Sequence, residues 1–149
     1  MTAFVNISTL FNGEEDRTVN RLADIYQDTG KMVRVIEQCM AGWLDGDSIK
    51  DKCILLKPNW VKHSRNDTDE ICLRTHDNFI LGTLRVLLPL GPARIVIGDA
   101  PIQGCRWDRM ISEDFMNEIN GLSGQYNVPI HLKDFRRRTF SFADNKAET

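Results

Sequence analysis

The stretch from Cys53 to Pro101 constrains the fold most, because it reads as a complete parallel unit of strand, long loop, helix and strand. Cys53-Ile-Leu-Leu-Lys57 is a short apolar run closed by Pro58-Asn59. Arg94-Ile-Val-Ile-Gly98 is a second, rich in β-branched residues and closed by Asp99-Ala-Pro101. Both are expected as buried strands. Between them Asp77 to Leu88 is dominated by apolar residues and stopped by Pro89 and Gly91-Pro92, the pattern of a crossover helix over a parallel sheet. A right-handed crossover between neighbouring strands brings Lys57 and Asp99 to the same carboxyl edge. In open α/β sheets that edge is where ligands bind.

The flanks extend the same pattern. From Lys31 to Leu44 the residues Met32, Val35, Ile36, Cys39, Met40 and Trp43 recur every three or four positions, a stripe expected to pack directly on the sheet with Met40 and Trp43 buried. Before it, Val19, Leu22 and Tyr26 suggest a short helix that Gly30 would end, and Phe4 to Ile7 could form an edge strand. Downstream, Ile111, Phe115, Ile119 and Leu122 mark a second crossover helix, with Ser112 and Glu113 in its first turn and Gly121 and Gly124 at its end. Val128 to Lys133 then reads as a third parallel strand, in which Pro129 suits only the start or an edge. The tail from Arg136 to Thr149 reads either as one more edge strand or as a frayed end. The expected architecture is a single α/β domain over 1–149, with a mostly parallel sheet, helices on both faces and an unpaired edge. Self-association or a complementing chain would cover such an edge.

A chain of 149 residues is long enough to close one core. No apolar run in it is long enough to span a bilayer. Met1-Thr-Ala-Phe-Val-Asn lacks the basic start and sustained apolar stretch of a signal peptide, so a cytoplasmic location is expected. A net charge of -2 gives no general attraction for nucleic acid, and Arg136-Arg-Arg138 is too short to change that and reads as a solvated end. Cys39, Cys53, Cys72 and Cys105 are widely separated with no C-x-x-C. Neither a zinc ribbon nor an iron–sulfur cluster follows from such spacing, and buried free thiols are expected instead. No cofactor can be assigned.

The groups able to carry chemistry converge on the expected carboxyl edge: Lys57 with Asn59, the helix start at Thr75-His76, Asp99 after Gly98, and the loop from Gln103 through Gly104 to Trp107. A helix N-terminus beside a lysine suits a small anion, phosphate or carboxylate. The alternative is that Thr75 only caps the helix and Lys57 is solvated or paired with Asp99. Asp99 could act as a general base, contact a hydroxyl or a metal, or serve as a turn residue. Lys57 and Asp99 are thus the candidate catalytic residues, and Asn59, Trp60, Thr75, His76, Gly98, Gln103 and Gly104 the candidate ligand contacts. Trp60 and Trp107 either wall a ligand or cover the end of the sheet. His63, His76 and Asp99 match no metal-ligand spacing, and no metal site is assigned. Pro58 to Arg74 is long, polar and without periodicity, a composition that favours a mobile lid over a packed connection.

Three of these stretches carry a resemblance. Ile54-Leu-Leu-Lys-Pro-Asn-Trp-Val61, Leu73-Arg-Thr-His76 and Arg94-Ile-Val-Ile-Gly-Asp-Ala-Pro-Ile-Gln-Gly-Cys105 resemble, in order, the signatures of the domain-of-unknown-function family 362 (DUF362). The resemblance implies an enzyme-like domain of unestablished activity. It also implies a link to ferredoxin-type iron–sulfur modules or to surface-polysaccharide assembly, since some relatives carry one or resemble the other. Relatives continue into a further lysine-rich segment, which implies that this chain corresponds to the N-terminal portion of a longer family domain.

Overall fold

The computed structural model describes residues 25–42, 44, 46–65, 73–137, 141–143 and 146–148. Phe4 to Ile7, Val19, Leu22, Trp43 and Cys72 lie outside the described residues, as does the centre of the long loop.

Helix α1 (Thr29–Met40) begins at Asp28, whose carboxylate accepts from the Lys31 amide at 3.0 Å. Gly30 therefore lies in the first turn of this helix instead of ending the one before it. A short helix α2 (Gly46–Ile49) leads into strand β1 (Cys53–Leu56). Helix α3 (Asp77–Leu87) follows the long loop and runs into a 3-10 turn at Leu88–Leu90, where Pro89 sits at the start and Gly91 closes with φ 70°. Strand β2 (Arg94–Asp99), a helical turn α4 (Trp107–Met110), helix α5 (Glu113–Tyr126) and strand β3 (Ile130–Asp134) complete the repeat. Ser112 caps α5 through its hydroxyl, which accepts from the Phe115 amide at 3.2 Å. The helix runs past Gly121 and Gly124 and stops at Asn127, which takes the left-handed conformation with φ 53°.

The three strands form one parallel sheet in the order β1-β2-β3, with Leu55 opposite Val96 and Val96 opposite His131. Both crossovers step in the same direction, so both covering helices fall on the same face. There Ile95, Ile97, Leu84, Phe115 and Ile119 are buried in one core, with Ile54, Leu56, Ile130 and Leu132 packed against it. The expectation of helices on both faces is thus corrected: among the described residues they occupy one.

Helix α1 does not take the other face either. It packs on α3, at a point where α3 carries a glycine. A Cβ at Gly82 would lie 2.9 Å from both the Ile36 Cδ1 and the Met32 Cγ atoms. Met32 and Ile36 are buried in this contact and Met40 only partly, so the apolar stripe faces a helix and not the sheet. Strand β1 is a second correction, because it is not buried: Cys53 is exposed and Leu55 is 60% exposed. The tail adds a separate antiparallel pair, β4 (Ser141–Ala143) with β5 (Lys146–Glu148), and not a further strand of the main sheet. None of the described helices is long and apolar enough to cross a membrane.

Candidate functional site

Parallel strands that end together place their next residues side by side, and the chain does this at the carboxyl edge. The Lys57 ammonium lies 2.9 Å from Asp99 Oδ1. The same oxygen accepts from the Ala100 amide at 2.8 Å, and Oδ2 accepts from the Trp60 amide at 2.9 Å. Asp99 is 5% exposed. Burial pushes its carboxyl up, but the hydrogen bonds from Lys57, Trp60 and Ala100 outweigh it, so the carboxyl stays below its ordinary value. A base whose proton affinity is lowered and whose two oxygens are both engaged is badly placed to abstract a proton. Asp99 instead ties the end of β1 to the end of β2 and fixes Lys57, whose side chain remains 64% exposed.

The long loop begins and ends as a packed connection, contrary to its lid-like composition. Its two ends run antiparallel, with the Val61 amide donating to the Leu73 carbonyl and the Thr75 amide to the Asn59 carbonyl, both at 3.0 Å. The Thr75 hydroxyl accepts from the Asn59 amide at 2.9 Å. Thr75 therefore does not cap α3. That position belongs to His76, whose Nδ1 accepts from the Asn78 amide at 3.1 Å while its ring packs on Tyr26. Arg74 is buried beside Asp77, with which it forms an ion pair, and it donates to the Met110 carbonyl at 2.8 Å.

Trp60 is a core residue and not a ligand wall. It is 1% exposed, and its ring meets Trp107 and Phe115 edge-on at 5.6 and 6.4 Å. Gly98 is likewise withdrawn: a Cβ there would lie 2.4 Å from the Lys133 carbonyl oxygen and 2.8 Å from the Phe135 ring. The glycine permits Phe135 to fold over the strand, and it presents nothing to a ligand.

The remaining candidate contacts divide between two hollows. A groove of about 390 Å³ at the carboxyl end of β1 is lined by Lys57, Asn59 and Thr75 over an apolar floor that includes Leu55, Phe79 and Ile80. A wider hollow of about 800 Å³, lined by Gln103, Gly104, Cys105, Trp107 and Arg136 among others, lies at the loop after β2. Candidate contacts expected together are thus divided between two hollows, with Asp99 lining neither. Among the described residues no cluster of histidine, cysteine and acidic side chains could hold a metal ion.

Two structural ties escaped the sequence reading. His63 is buried; its amide donates to Cys105 Sγ at 3.2 Å, and its Nδ1 accepts from the Arg106 amide at 3.1 Å. The imidazole thus bolts one edge loop to the other. Arg136, expected as part of a solvated end, is a clamp. It pairs in bidentate fashion with the buried Asp134 carboxylate at 3.0 and 2.8 Å, and donates to the Cys105 and Ile102 carbonyls at 2.9 and 3.2 Å. Charge patterning does not show this, because the acceptors belong to a loop more than thirty residues away. The one legible hint is an acid two positions before an arginine at a strand end.

Comparison with protein-family models, curated proteins and solved structures finds no match to this chain.

Proposed function

We propose that the protein binds a small anionic ligand, phosphorylated or sugar-linked, in the groove at the carboxyl end of β1. The observation that carries this reading is the pairing of an exposed, positioned ammonium with hydrogen-bonding side chains above an apolar floor. Asp99 satisfies one side of Lys57 and holds it in place, and the exposed side of the ammonium is turned to solvent, where an anion can reach it. Asn59 and Thr75 line the same groove and offer polar partners for hydroxyls. The ring of Phe79, 41% exposed, offers a flat surface to the C–H face of a sugar. Lys57 is then the group that meets the ligand's charge, and Asp99 a positioning residue.

The resemblance to the domain-of-unknown-function family 362 belongs to this proposal. The stretches that carry it meet at one edge through the Lys57–Asp99, Trp60–Asp99 and Asn59–Thr75 contacts. Their meeting supports reading them as parts of one structural edge, of which the groove beside Lys57 is one portion.

Calorimetric titration with hexose phosphates and nucleotide sugars tests the reading. A charge-assisted contact is worth about 1.5–3 kcal/mol, so Lys57→Ala is expected to weaken binding about ten- to a hundredfold. Arg94→Ala, a cation of the same sheet outside the groove, should leave it unchanged. Affinity indifferent to Lys57, or no binding by any compound of these classes, refutes the assignment.

A further inference from the structure

Parallel sheets are found covered on both faces, because their strands bury side chains to either side. Here the described helices cover one face only. The register places Cys53, Leu55, Arg94, Val96, His131 and Lys133 on the other. Leu55 is 60% exposed, Phe135 is 38% exposed where it folds over Gly98, and Val96 is half-buried between them. Arg94, His131 and Lys133 are exposed around this apolar strip, and no strand position on the face carries an acid. The acids of these strands, Asp99 and Asp134, alternate to the covered face. A face whose charged strand positions, Arg94 and Lys133, are both cations is a departure for a chain whose net charge is -2.

We propose that this face docks an acidic amphipathic helix of another protein. A helix supplies a layer on the face that no described helix covers and sets an apolar stripe on Leu55, Val96 and Phe135, while flanking carboxylates meet Arg94, His131 and Lys133. A second copy of the chain does not fit, since a twofold contact would set these cations against their own equivalents. Single-stranded nucleic acid fits less well, because it needs successive aromatic platforms along a basic groove, and the exposed rings among the described residues of this face are Phe135 and His131. The docking face shares Leu55 with the anion groove but draws its charge from Arg94 and Lys133, which lie outside that groove.

The test uses the full chain and a fluorescein-labelled helical peptide with leucines at i, i+3, i+4 and i+7 flanked by glutamates. Its counterpart has lysines in place of the glutamates, and binding is followed by anisotropy. The acidic peptide is expected to bind at least about tenfold tighter than the lysine peptide, and to weaken as salt is raised. Chemical-shift changes are expected at the Leu55 and Val96 methyls and the His131 ring. The double variant Arg94→Glu with Lys133→Glu should reverse the preference, and Arg85→Ala, a cation on the helix of the covered face, should leave it intact. If the charge-reversed chain fails to fold, Arg94→Gln with Lys133→Gln replaces it and should flatten the salt dependence. Equal binding of the two peptides, an unchanged preference in the charge variants, loss of binding in Arg85→Ala, or displacement of the peptide by a tighter-binding single-stranded oligonucleotide would each overturn the proposal.

Discussion

Two neighbouring strands of similar composition meet different surroundings in this molecule. Ile95 and Ile97 of β2 are wholly buried, whereas Leu55 of β1, paired with Val96 of β2, is 60% exposed. Strand β2 has a partner along each edge and both crossover helices above it. Among the described residues strand β1 has one partner, and its odd-numbered side chains face no described helix. Burial is therefore set by position in the sheet and by which face a residue takes, and hydrophobicity alone does not decide it.

The largest effect expected from this contrast is in the centre. Ile97→Ala removes a fully buried side chain between α3 and α5, and should destabilise the chain by about 2–5 kcal/mol in thermal or urea unfolding. A loss under 1 kcal/mol would mean that the core does not close over β2.

Next comes the tie between the strand ends. Asp99→Ala leaves the Trp60 and Ala100 amides without their acceptor, at a cost of about 1–3 kcal/mol, and a variant as stable as the parent would remove the carboxylate from its structural role. The same group gives a pH dependence whose sign is fixed. Its folded carboxyl lies below the ordinary value, so its contribution is present above an unfolded value of about 3.9 and is lost as pH falls through the lower, folded one. Asp99→Asn should therefore flatten the acid side of the stability curve. An unaltered slope below about pH 4 would count against the shift.

The smallest effect belongs to β1. Leu55→Ala should change stability by less than about 0.5 kcal/mol, as substitutions at exposed positions do. A loss approaching that of Ile97→Ala would show that Leu55 is covered in solution.

The order of elements was legible because hydrophobic period and Pro/Gly punctuation are local properties. Cys53–Leu56, Asp77–Leu87 and Arg94–Asp99 fall within a residue or so of where the pattern puts them. Lys57 and Asp99 came together for a similar reason: residues following two parallel neighbours must be adjacent. What could not be read depends on steps between distant segments. A strand run does not say whether its second edge will be paired, so β1 looked as buried as β2. Nor does it say that two crossovers will step the same way, which is what leaves one face without a described helix. Trp60 and His63 owe their burial, and Arg136 its clasp, to loops that meet only once the sheet exists, and a polar stretch such as Lys62-His63-Ser64 carries no mark of that.

The ties that hold the carboxyl edge also set an order on its assembly. Trp60 reaches Asp99 across 39 residues, His63 meets Cys105 and Arg106 across 42 and 43, and Arg136 clasps Cys105 across 31. Such contacts close long loops and form only after the intervening chain has been made, and long-range contacts slow the search for the native state. On a ribosome, β1 and its loop would leave the exit tunnel with none of their partners, then gain Asp99 and Cys105, and have the last clasp fastened only when Arg136 emerges. The hollow lined by Cys105 and Arg136 would thus be among the later features of the nascent chain to become fixed, whereas the groove beside Lys57 needs the chain only as far as Asp99.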